Sequence, residues 1–205
     1  MYPVLIAGEP HKRACFVTFT YNSHFDRVVL NDHMECMTLT FILGGARSGK
    51  SSRAQKLAEA ASPERIYIAT AQALDAEMDA RIARHKSDRG AGWETIEAPI
   101  DIASSISQIE RKDRVVLVDC LTLWLNNLMH HAHDIEAETD TLITALKTSA
   151  CPVIIVSNEV GLGLVPSTPL GREFRDAQGQ LNQKVAAACD RVEFIAAGLP
   201  LTLKG

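Results

Sequence analysis

Thr40-Phe41-Ile42-Leu43-Gly44-Gly45-Ala46-Arg47-Ser48-Gly49-Lys50-Ser51-Ser52 reads as an apolar strand entering a glycine-bracketed turn and leaving as a helix. Gly44 and Gly49 permit backbone angles that bulkier residues resist, so successive N–H groups can turn inward around an anion. The first turn of the following helix adds unpaired donors and a positive dipole end. Lys50 then supplies a cation for the outer phosphates of a nucleotide, and Ser51 a hydroxyl for Mg²⁺. An ordinary glycine-rich turn would not need Lys-Ser directly after its second glycine. The stretch Gly44, Gly45, Ala46, Arg47, Ser48, Gly49, Lys50, Ser51 is therefore read as a phosphate loop.

Outward from the loop, apolar runs alternate with helical patterns. Arg65–Thr70, Trp93–Ala98, Val115–Asp119 and Pro152–Ser157 read as strands, and Val192–Ala196 with Leu201–Leu203 as a closing pair around Gly198. Helices are expected over Ser51–Ala61, Asp75–Arg89, Ile100–Arg111, Leu121–Met129, Ile135–Thr148 and Leu170–Cys189. This alternation predicts an α/β domain, a P-loop NTPase of RecA-like type with a mostly parallel sheet flanked by helices. The domain is expected to span residues 37–205. Residues 1–36 do not share the pattern and are expected to be an extension, either poorly ordered or upstream of the true start.

The 205-residue chain is 46% hydrophobic, enough for one full-sized core. Its formal net charge of −4 argues against a dedicated nucleic-acid binder. No apolar run approaches the roughly 20 residues of a membrane span. Five scattered cysteines without a C-x-x-C pair suit reduced thiols and a cytoplasmic protein.

Further chemistry clusters around the loop. Asp119 ends an apolar strand, where the second acid of phosphate-loop enzymes holds the Mg²⁺ shell. Glu97 offers a carboxylate able to accept two hydrogen bonds from the N1 and N2 edge of guanine. Asn158-Glu159 ends another strand, at the crevice where open α/β sheets bind ligands. In the helix expected over 75–89, Leu74, Met78 and Ile82 recur at every fourth residue, and His85 falls about 20° from Leu74 around the axis. A histidine there is ordinarily a core or capping residue. Neighbouring Arg81, Lys86 and Arg89 would hold its imidazole neutral and nucleophilic, able to take up a phosphoryl or nucleotidyl group. From residues alone, a small-molecule kinase without a covalent step and a nucleotide-sensing P-loop ATPase both stay open.

Several stretches occur together and in order. They are the phosphate loop, Tyr67-Ile68-Ala69-Thr70-Ala71, Leu74-Asp75-x-Glu77-Met78-x-x-Arg81-Ile82-x-x-His85, Trp93, Asn158-Glu159-Val160-Gly161 and Phe174-Arg175-Asp176-x-x-Gly179-x-x-Asn182-Gln183. Jointly they resemble the bifunctional adenosylcobinamide kinase / adenosylcobinamide-phosphate guanylyltransferases of cobalamin synthesis, from Met37 to the C-terminus. The resemblance implies phosphorylation of adenosylcobinamide by ATP or GTP, then guanylylation of a histidine by GTP with loss of pyrophosphate. GMP would pass from that histidine to adenosylcobinamide phosphate. By motif position the histidine is His85. The resemblance also implies nucleotide contacts from Gly44 to Ser51, from Ala69, Thr70 and Ala71, from Lys86, Ser87, Asp88 and Arg89, and from Glu97 and Asp119. It further implies Mg²⁺ and a homotrimer.

Overall fold

Strands that are apolar at nearly every position must be covered on both faces, and three of the strands here are of that kind. A computed structural model describes residues 38–72, 89–110 and 113–205. In it β1 (Leu39–Gly44), β4 (Val115–Asp119) and β5 (Val153–Asn158) lie at the centre of a sheet. The sheet is completed by β2 (Arg65–Ala69), β3 (Trp93–Glu97), β6 (Arg191–Ala196) and β7 (Leu199–Lys204). The order is β3-β2-β4-β5-β1-β6-β7, with every pairing parallel except the β6–β7 hairpin. The expected segment 1–36 and most of the expected helix over 75–89, including His85, Lys86, Ser87 and Asp88, lie outside the described residues.

Among the described residues five helices flank the sheet: α1 (Lys50–Ala61), α2 (Ile102–Ser107), α3 (Leu121–His130), α4 (Ile135–Thr148) and α5 (Pro169–Ala188). On one face Phe41, Ile68, Val118 and Ile155 pack against Ile106, Trp124, Leu146 and Val185 from α2 to α5. On the other, Ile42, Leu117 and Val156 pack against Ala54 and Ala58 of α1. Small residues on α1 let it lie close to the strands that form the site. None of the described helices is long and apolar enough to cross a membrane.

Local signals explain most boundaries. Asp134 accepts from the N–H groups of Glu136 and Ala137 and starts α4, while Thr168 accepts from Gly171 ahead of Pro169 at the start of α5. Most expected elements agree to within two residues, and one departs further. The helix expected over 100–111 spans only Ile102–Ser107. Asp101 takes the N-cap, its side chain accepting from Ser104 N–H, so Ile100 is left outside. Ile109 N–H already bonds back three residues, to Ile106, in a tightening turn.

At the hairpin edge, Glu193 of β6 is fully buried on the α1 side. Arg53 of α1 reaches it with two hydrogen bonds of 2.9 Å, and Arg191 adds two more at 2.9 and 2.7 Å. The Arg53 guanidinium, ahead of Arg191, holds the Glu193 carboxyl below its usual range despite burial. This ion cluster pins the first turns of α1 to the sheet.

A candidate nucleotide site at the carboxyl ends of the strands

Parallel strands send all their carboxyl ends to one rim, and of the residues singled out in the sequence Gly44, Ala69, Glu97, Asp119 and Asn158 lie there. Ala69 pairs with Glu97 on one side and with Asp119 on the other. Asp119 pairs with Val156, and Gly44 with Asn158. Side chains alternate along each strand, so Tyr67, Glu97 and Asp119 point to the face that α1 covers.

The loop itself is tightly built. Arg47 and Gly49 both have positive φ, 55° and 98°. Lys50 is buried and its Nζ donates to the Gly45 carbonyl at 3.0 Å, which folds the ammonium back over the loop. A Cβ on Gly44 would lie 2.5 Å from Ser48 Oγ and 2.7 Å from the Ile195 carbonyl. The turn of the β6–β7 hairpin closes the loop from behind, with Gly198 N–H donating to Ser48 O at 2.8 Å.

Buried side chains stitch the rim together. The Thr70 hydroxyl donates to Cys120 O and accepts from Cys120 N–H, both at 2.8 Å. Asn127 donates to the carbonyls of Thr70 and Pro99 at 2.9 Å each. Thr122 accepts from Asn158 N–H at 2.8 Å, and Glu159 N–H donates to Gly44 O at 3.1 Å. Thr70 therefore shapes the rim with its side chain, while Ala69 and Ala71 flank it, partly exposed.

An aromatic contact borders the acid. The Arg89 guanidinium stacks on the Tyr67 ring, 3.6 Å from its centroid. Burial, and next the Asp119 charge, push the Tyr67 phenol well above its ordinary range. One terminal nitrogen of Arg89 is buried without a hydrogen-bond partner among the described residues. The arrangement thus brings the glycine-bracketed loop with its Lys50 cation and the acid Asp119 to one rim of the sheet, groups of the kind phosphoryl chemistry uses.

A family model described as cobinamide kinase / cobinamide phosphate guanyltransferase matches residues 40–203. The chain belongs to that family. The bifunctional adenosylcobalamin biosynthesis protein CobP of Pseudomonas aeruginosa is 46% identical over 166 residues, covering 80% of this chain and 96% of the relative. The proteins of the same description named CobU from Salmonella typhimurium and Escherichia coli are 37% and 36% identical over 181 residues. Each of those alignments covers 81% of this chain and 99% of the relative.

In this family member the rim side chains Thr70, Thr122 and Asn127 are buried, and sequence reasoning gave none of them this stitching role. The buttress from Gly198 also went unread. These residues are polar, short and scattered, so only their burial beside strand ends distinguishes them from surface residues.

Proposed function

We propose that residues 37–205 carry both reactions of the family. The terminal phosphate of ATP or GTP moves to the aminopropanol hydroxyl of adenosylcobinamide. GTP then guanylylates His85, and GMP passes to adenosylcobinamide phosphate, giving adenosyl-GDP-cobinamide. The observation that carries the reading is that the strand entering the Gly44–Ser51 loop and the strand ending in Asp119 reach the same rim with only β5 between them, in a chain of this family.

In the first reaction, the loop amides and Lys50 hold the phosphates, and Arg47 lies at the exposed tip of the loop. In the second, the His85 imidazole attacks the α-phosphorus of GTP and the bond to pyrophosphate breaks. The resulting P–N bond keeps the group reactive while pyrophosphate leaves. A bulky corrinoid then need not share the crevice with an intact triphosphate. Glu97 receives the guanine edge, while Arg89, with Lys86, Ser87 and Asp88, lines the nucleotide. Ser51 and Asp119 offer hard oxygen donors of the kind Mg²⁺ takes, and among the described residues no three-ligand protein cage exists. Mg²⁺ would therefore be completed by phosphate and water, and would neutralise phosphate charge. A cytoplasmic homotrimer belongs to the same proposal.

The test is intact-mass and peptide mapping after incubation with labelled GTP. The expected result is an acid-labile GMP adduct on His85, absent from His85→Ala, which retains phosphoryl transfer. Phosphoryl transfer without any adduct would leave a kinase lacking the covalent step. Nucleotide binding without either transfer would leave a nucleotide sensor.

A further inference from the structure

The end of β5 is built more carefully than a strand terminus needs. Asn158 has its N–H fixed by Thr122 Oγ1 at 2.8 Å and its carbonyl fixed by Asn182 Nδ2 at 3.1 Å. Asn182 is held in turn by the Ser157 hydroxyl at 2.8 Å and by Gln178 Nε2 at 3.0 Å, all three residues being buried. The main chain of Asn158 is thus immobilised from both sides by a polar network beneath the sheet.

Its side chain points the other way. Ile154 and Val156 face α1, so alternation places Asn158 on that face as well. Asn158 lies directly opposite Gly44, where the phosphate loop begins, and β5 separates that strand from the one ending in Asp119. Asn158 is two residues beyond the Val156–Asp119 pair, so it stands roughly 7 Å further out along the rim. Among the described residues, the hydrogen bonds at Asn158 are made by its main chain. The neighbouring acid does not compete for the crevice, because Glu159 Oε1 accepts from Gly161 N–H at 2.6 Å and closes its own turn.

We propose that the Asn158 side-chain amide donates a hydrogen bond to the terminal phosphate of a nucleoside triphosphate held by the loop, between Lys50 and Asp119. The inference rests on reading Gly44–Ser51 as a triphosphate site. A neutral amide supplies N–H donors to an anion without the repulsion a carboxylate would bring. Because its backbone is already fixed, little reorganisation accompanies contact with the phosphoryl group, the condition under which such donors act best on a transferring group.

The test uses the full chain with Asn158→Ala and the near-isosteric Asn158→Asp, titrated with GDP and with the non-hydrolysable imido analogue of GTP. Asn158→Ala is expected to weaken the triphosphate analogue about tenfold while GDP affinity stays within about twofold. Asn158→Asp is expected to weaken the analogue further, by like-charge repulsion, and is read alone should the alanine variant fail to fold. In the cobinamide kinase assay kcat should fall on the order of 10²-fold. Equal losses for di- and triphosphate, or no loss for either, overturn the proposal. A wild-type chain that binds neither nucleotide overturns the triphosphate-site reading and this inference together.

Discussion

Gly198 donates its backbone N–H to the carbonyl of Ser48 at 2.8 Å, so the β6–β7 hairpin braces the loop just before its second glycine. This contact ties the loop backbone at Ser48 to the hairpin turn. The same approach leaves no room at the neighbouring residue. A Cβ on Gly49 would stand 3.2 Å from Gly198 Cα, and Gly49 has a φ of 98°.

Gly49→Ala should therefore fail twice, through strain at positive φ and through crowding against backbone. The strain alone costs roughly 1–2 kcal/mol. Nucleotide affinity measured by calorimetry should fall at least tenfold, with a lower melting temperature. Wild-type affinity in the variant would show that the brace does not set the loop.

Thr70→Val keeps the shape of the side chain and removes the hydroxyl that serves both polar groups of Cys120. Cys120 O keeps the Trp124 N–H at 3.2 Å, but Cys120 N–H is left buried and unpaired, which costs about 1–3 kcal/mol. Urea unfolding should show this loss, and kcat for phosphoryl transfer should drop with it because Asp119 immediately precedes Cys120. A stability change under about 0.5 kcal/mol would contradict the rim's structural role.

Glu193 links stability to pH. Its folded pKa is lowered, chiefly by the Arg53 hydrogen bond, so its contribution is present above the unfolded value of about 4.3. That contribution is lost as pH falls below this value through the depressed folded one. Since both arginines are partly exposed, Glu193→Gln should cost only about 1–2 kcal/mol at neutral pH. The gap in melting temperature between wild type and Glu193→Gln should hold steady above about pH 5 and narrow below about pH 4. A gap independent of pH would exclude the ion cluster as its cause.

Cys120 directly follows Asp119 in the chain and is a rival candidate to the proposed nucleophile His85. Burial, reinforced by the Asp119 charge, pushes its thiol up to about 11. Essentially no thiolate exists at neutral pH, so iodoacetamide should leave the Cys120 peptide unmodified in the folded protein and modify it after denaturation. Rapid labelling of the native protein would reopen cysteine as the covalent carrier.

The frame of the candidate site could be placed in advance. Gly44 to Ser51 follow a spacing fixed by local backbone geometry, and Asp119 and Glu97 stand at the ends of strands expected there, the first announced by an apolar run. The placement of Arg89 over Tyr67 was not legible, since it depends on which strands become neighbours. The helix starting at Ile102 was overextended for a simpler reason: periodicity measures the apolar stripe, whereas the capping carboxylate of Asp101 decides where hydrogen bonding begins.

The sequence by itself determined the loop, the alternation of strands and helices, and the family, because each is written in residues close together in the chain. Tertiary structure alone decided the strand order, the buttress from Gly198 to Ser48 and the network that fixes Asn158 beside Gly44. Those pairings join residues far apart in the chain. Such residues carry no shared local signal, and their hydrogen bonds gain strength only once the sheet has excluded water around them.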